Sequence, residues 1–220
     1  MKFANSTSIM RRRRRRFARS YPRINRYMSL AGRTFKLQRQ VNFIKGMVNA
    51  EKHYVDVDLS VNPSNTGSVQ LINTIAQGDD VNNRQGNSVL CKYLRFIMNG
   101  AMNGSATNTI IRIIIFCDTA NQGVTPSVTD YLTAANTTSF KNVDNHKRFV
   151  TLRDKTYHMS INGVREIADY IYCKTNFHLR YSGAGSTSVL QNALYLLIIS
   201  NEATNTPVVT IQSRTAFYDN

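Results

Sequence analysis

No acidic side chain occurs in the first 50 residues of this 220-residue chain; Glu51 is the first. The same stretch holds 14 Lys and Arg, six of them in the unbroken run Arg11–Arg16. Beyond it, 14 Lys and Arg face all 13 Asp and Glu, a balance of +1. The net charge of +15 therefore resides almost wholly in the first quarter of the chain. A block of like charge with few apolar residues cannot bury enough surface to offset the entropy of ordering it. Residues 1–30 are accordingly expected to have no fixed fold. The chain divides into a basic, largely disordered arm, 1–49, and a body, 50–220, that must carry the core.

The body is long enough to enclose one core. No run reaches the roughly 18 apolar residues needed to cross a bilayer. The N-terminus shows no apolar segment of the secretory type, so no membrane partner is expected. Cys91, Cys117 and Cys173 are odd in number and widely spaced. They fit neither a disulfide framework nor a zinc pattern and read as buried thiols in a reducing compartment.

From Tyr54 the texture is that of strands. Tyr54, Val55, Val57, Leu59 and Val61 alternate with polar residues, as on a strand with one buried face. Val69–Ile75 and Ser88–Met98 continue the pattern, flanking the polar loop Gln77–Gly86. Asn99-Gly100 and Asn103-Gly104 read as turns. Thr109–Cys117 is short, apolar and β-branched, which suits a central strand. Ser127–Ala135 is the one helical segment of the body, about two turns, with Ser127 and Asp130 spaced as a capping box. Arg148–Met159, Ile167–Tyr181, Val189–Ser200 and Val208–Tyr218 complete eight strands. With no βαβ alternation, the fold class is all-β: an antiparallel sandwich or barrel, with an eight-stranded jelly roll leading.

An acid-free cationic arm points to a polyanion, and nucleic acid is the leading candidate. Arg11, Arg12, Arg13, Arg14, Arg15, Arg16, Arg19, Arg23, Arg26, Arg33, Lys36, Arg39 and Lys45 are the candidate phosphate ligands. Guanidinium pairs with phosphate through two parallel hydrogen bonds and stacks on bases. Phe17, Tyr21 and Tyr27 lie among the arginines, placed to stack on unpaired bases. A nuclear import signal is compatible with the same run. Anionic membrane is disfavoured, because no apolar face accompanies the arginines. In 33–49, Phe35, Leu37, Val41, Ile44 and Val48 make a partial helical stripe.

Enzyme chemistry finds no footing. His53, His146, His158 and His178 form no H-x-x-x-H pair. Cys117-Asp118 carries no nucleophile signature. Gly183–Thr187 lacks the lysine of a phosphate loop and reads as a turn.

Several collinear segments carry a resemblance. They are Gln77-Gly78-Asp79-Asp80-Val81-Asn82-Asn83-Arg84 with Gly86, the strand Ile110–Phe116, and Asp118-Thr119-Ala120-Asn121-Gln122-Gly123. Thr125-Pro126, the segment to Ala135-Asn136, Lys147-Arg148-Phe149 and Leu152-Arg153-Asp154 follow in order. Together, over roughly 50–160, they resemble satellite tobacco necrosis virus-like coat proteins, including capsid proteins of circular, Rep-encoding single-stranded DNA viruses. The resemblance implies a non-enzymatic jelly-roll subunit that assembles as a homo-60-mer, a virion shell with the arms inside. The Arg11–Arg16 run, followed by Tyr and Pro, is more like the arms of the DNA viruses, which favours a circular single-stranded DNA cargo over RNA. Before assembly the chain would occupy host nucleus or cytoplasm. The family also implies a structural calcium between subunits, at positions matching Glu51, Asp79 and Asp219; no other cofactor is expected. Gln85–Ser88 replaces a loop that supplies oxygens to that ion in the family. A cellular single-stranded nucleic-acid-binding β-protein is the second reading, and a secreted lectin-like jelly roll the third.

Overall fold

The computed structural model describes residues 32–43, 52–121 and 123–219. The chain falls into two units, Met1–Asn49 and Ala50–Asn220. Residues 1–30, expected to lack a fold, lie outside the described residues. Within the first unit, 32–43 is a helix, α1. It covers 33–43 of the helix expected over 33–49, and 44–49 lie outside the described residues.

The described residues of the body form nine strands: β1 Lys52–Val61, β2 Ser68–Leu71, β3 Ser88–Ala101, β4 Asn108–Asp118, β5 Phe149–Ser160, β6 Glu166–Tyr181, β7 Val189–Gln191, β8 Ala193–Ser200 and β9 Val208–Asp219. One sheet runs β1-β9-β3-β6-β7 and the other β2-β8-β4-β5. Every pair is antiparallel. The first strand pairs with the last, the second with the eighth, and the third with the sixth. That nested order is a jelly roll, as expected. Inward residues of both sheets, among them Leu94, Phe96, Ile113, Ile115, Leu196, Ile198 and Phe217, form the buried core.

Val189–Ser200 is two strands, not one. Asn192 takes a left-handed conformation, φ 61°, and its side-chain amide donates to the His178 carbonyl at 2.7 Å. That one residue moves the chain from the edge of the first sheet into the middle of the second. Asn tolerates positive φ better than other side-chain-bearing residues.

Three further expectations are corrected. Val69–Ile75 pairs only to Leu71. Beyond it the Asn73 side chain takes over the ladder, its Oδ1 accepting from Leu194 N–H at 2.9 Å. Asn99-Gly100 is no turn, since β3 runs through it to Ala101. Gly100 is needed for close approach: a Cβ there would stand 2.9 Å from Ile167 Cγ1. The turn falls at Asn103-Gly104. Finally, Ser127–Ala135 shrinks to one turn, α2, Val128–Tyr131. Its capping box forms as expected, with Asp130 N–H donating to Ser127 Oγ at 3.1 Å and Ser127 N–H to Asp130 Oδ2 at 2.7 Å. The helix stops because Leu132 is extended and bridges to Lys141.

The β4–β5 connection that contains α2 covers the second sheet. Phe116 of β4 packs against Tyr131 of α2, ring centres 4.4 Å apart, and against Phe149. Consequently β8 is buried at every residue. Ile113–Asp118 of β4 is buried without alternation as well. The first sheet keeps strict alternation, for example on β6, and so presents an open face.

Candidate nucleic-acid interface

Of the thirteen cationic positions expected to hold phosphate, Arg33, Lys36 and Arg39 are described; the rest, through Arg26 and at Lys45, lie outside the described residues. The three sit at successive three-residue steps of α1 and line one side of it. All of α1 is exposed. The Arg39 guanidinium lies over the Phe35 ring, 5.5 Å from its centre. Leu37 and Val41, four apart, share a side, while Phe35 and Phe43 lie on others. Leu37 and Val41 thus keep part of the partial stripe expected of 33–49 and Phe35 departs from it, while Ile44 and Val48 lie outside the described residues. As a cationic helix without one apolar face, α1 suits a solvated polyanion better than a packed core.

In the body the loop between β2 and β3 is built around Arg84, which sequence reasoning treated as an ordinary loop residue. Its side chain is fully enclosed. Nε donates to the Ile75 carbonyl at 3.1 Å, and Nη1 donates to the Gly86 carbonyl at 2.6 Å and to Asn87 Oδ1 at 3.1 Å. Nη2 donates to the Gly183 carbonyl. The guanidinium lies over Tyr181, 4.0 Å from the ring centre. No carboxylate pairs with it among the described residues. Burial lowers its pKa, with Tyr181 and Asp219 opposing; an arginine stays charged regardless. No sequence signal marks such a residue, because its near partners are ordinary loop oxygens and the others, Gly183 and Tyr181, lie almost a hundred positions away.

Arg84 also bears on the calcium positions. Glu51 lies outside the described residues. Asp79 is exposed on the loop. Asp219 Oδ2 accepts from the Gln85 N–H, and its Oδ1 is buried without a partner. The oxygens of Gly86 and Asn87 are already held by Arg84, and the Gln85 carbonyl by Gln77 Nε2 at 2.7 Å. Among the described residues no group of three or more His, Cys, Asp or Glu could hold a metal. The stranded Asp219 Oδ1 fits one ligand of a cation, but a calcium needs six or more oxygens, so the others must come from outside the described part of one chain.

The cysteines are free and buried, as expected. Burial pushes the Cys91 and Cys117 thiols up to about 12, which leaves them poor nucleophiles. Asp118, beside Cys117, is fully buried in a two-pronged pair with Arg148, at 2.9 and 2.6 Å. That pair ties the end of β4 to the start of β5 and is not arranged for catalysis.

The sequence profile of the satellite tobacco necrosis virus coat protein family matches residues 30–219. The chain belongs to that family. The match covers α1 and every strand of the body, well beyond the 50–160 stretch that carries the resemblance. The chain is 33% identical over 168 residues to the capsid protein of Satellite tobacco necrosis virus 1, covering 72% of this chain and 83% of the relative. It is 31% identical over 148 residues to the coat protein of Satellite tobacco necrosis virus 2, covering 66% and 74%. The coat protein of Maize white line mosaic Satellite virus is 25% identical over 161 residues, covering 70% and 74%. This is a viral coat protein, a structural component of the virion. The helix α1, with Arg33, Lys36 and Arg39, belongs to the family's matched region, whereas Arg11–Arg16 precedes it.

Proposed function

We propose that this coat protein closes into a small icosahedral shell of about sixty copies and packages single-stranded nucleic acid through its arm. The observation that carries the reading is the joining of an acid-free +14 segment to a coat-protein jelly roll of balanced charge. The body supplies side-to-side contacts and the arm neutralises phosphate inside. The likeness of Arg11–Arg16, followed by Tyr and Pro, to the arms of circular single-stranded DNA virus capsids favours single-stranded DNA over RNA, and the same run would serve nuclear import before assembly.

Electron microscopy of the purified full chain should reveal closed particles, and nucleic acid extracted from them should be sensitive to DNase and resistant to RNase. RNase sensitivity would reverse the choice of cargo. A chain that stays small at all concentrations would overturn self-closure of the shell.

Calcium enters this reading only between copies, with Asp79 and Asp219 of one chain completed by oxygens of the next. On that reading EDTA lowers the melting temperature of assembled particles and added CaCl2 restores it. Particles equally heat-stable in EDTA would remove the ion from the account.

A further inference from the structure

The open face of the five-stranded sheet is built unlike a merely solvated one. Its outward residues come from β1, β9, β3 and β6, and the register sets them in rows. Arg214 stands opposite Arg95, which stands opposite Tyr172. In the next row Ala216 faces Tyr93, which faces Lys174; in another, Gln212 faces Ile97, which faces Tyr170. A bulge between Cys91 and Tyr93 turns Lys92 and Tyr93 to the same side, as bulges do where a side chain must be re-aimed.

Large rings stand in water here. Tyr170 and Tyr172 are 57% and 52% exposed. Tyr93 and Tyr172 lie with ring centres 5.5 Å apart. The cations are concentrated at the same end. Arg95 lies over Tyr93 at 4.8 Å, and Lys52 lies over Tyr93 at 4.9 Å. Arg214 is held by Asp56 through hydrogen bonds of 2.7 and 2.6 Å, while Arg95 has no ion pair among the described residues. Two arginines directly across a strand pair repel. Asp56 already offsets Arg214, so the charge left for a bound anion is chiefly that of Arg95.

The face is also concave. A depression of about 160 Å³ between Arg95, Tyr170 and Arg214 shares Ile97 and Gln212 with one of about 460 Å³. The latter shares Asn99 and Thr210 with a third, of about 540 Å³. They make one trough across the strands. Lys52, the first residue of edge strand β1, is itself on this face, over Tyr54 and Tyr93.

We infer that this face is a second binding surface for single-stranded nucleic acid, on which unpaired bases stack against Tyr93, Tyr170 and Tyr172 while Arg95, Lys174 and Arg214 hold phosphates. The inference rests on the proposed packaging function and adds a site outside the arm. Stacking requires an exposed base face, so the surface selects single strands over duplex. The arm, acting by charge, makes no such distinction.

The test uses the full chain and oligothymidylate of about 16 nucleotides, the upper site size of comparable β-sheet platforms. Photo-crosslinking with bromodeoxyuridine in the strand should place adducts on peptides containing Tyr93 or Tyr170 and Tyr172. The double variant Tyr170→Thr/Tyr172→Thr should bind the oligonucleotide about tenfold or more weakly, and its preference over duplex should shrink. Tyr170→Phe/Tyr172→Phe keeps the rings and should bind as wild type. Both substitutions are at exposed strand positions, and circular dichroism checks their folding. Adducts confined to residues 1–50, with the threonine pair binding as wild type, would overturn the inference and leave the arm's role intact. A wild-type chain that fails to bind at all would overturn both readings.

Discussion

Arg84→Met should lower the melting temperature by about 10 °C, a large effect for one residue in a loop. Methionine fills much of the space but strands four acceptors: the carbonyls of Ile75, Gly86 and Gly183 and Oδ1 of Asn87. Each unpaired buried acceptor costs roughly 1 kcal/mol or more. The carbonyls can re-aim toward neighbouring donors once the guanidinium is gone, so about 3 kcal/mol in total is taken rather than the full sum. For a domain of this size each kcal/mol shifts the transition by roughly 2–4 °C. Arg84→Lys should recover less than half, since an ammonium cannot spread along a fork of four oxygens or lie flat on Tyr181. Circular dichroism melts of unassembled chain measure both. A methionine variant melting with wild type would mean that water substitutes for the guanidinium, and the loop would need another organiser. The same loop supplies Gln85 to Asp219, so its loss should also loosen the end of β9.

The strands were legible because one face of the first sheet is wet. Tyr54-Val55-Asp56-Val57-Asp58-Leu59 can alternate only if the two faces meet different surroundings, and they do. Legibility fell where both faces are buried. Ala193–Ile199 is apolar throughout, and the three residues of β7 before Asn192 are too few to show a period, so no change of period marks the corner between the sheets; only the backbone sign at Asn192 makes it. The short α2 failed for a related reason. Its capping box fixed the start, but pairing of Leu132 with Lys141 ended it, and that partner is set by tertiary structure. The arm's charge was plain in the sequence because electrostatics needs no fold. Arg84 was hidden because a cation satisfied by carbonyls alone leaves no acidic partner to notice. Tyr170 and Tyr172 read simply as strand formers, since sequence does not reveal that no described residue covers their face.

Changing all of Arg11–Arg16 to glutamine should weaken binding to single strands by about four powers of ten at 0.1 M salt. Each phosphate contact with a single strand contributes roughly 0.7 to the slope of log affinity against log salt, so six lost contacts flatten it by about 4. Extrapolated to 1 M salt, the variant and wild type should converge. Six lysines in place of the arginines should keep the slope but lose part of the affinity, because lysine is a point charge without the two-pronged geometry. If the glutamine variant kept the wild-type slope, the run would not be touching phosphate. Assembly gives the same change a second readout. Sixty arms of +14 would bring about 840 positive charges into one cavity, comparable to the phosphates of a genome of about a thousand nucleotides. With six removed from each arm, about 480 remain. If the body alone supplies the contacts, as proposed, shells should still close, but the longest nucleic acid recovered from them should shorten roughly in that proportion. Shells of the variant holding full-length nucleic acid would place the neutralising charge elsewhere, and the open sheet face around Arg95, Lys174 and Arg214 would be the first place to look.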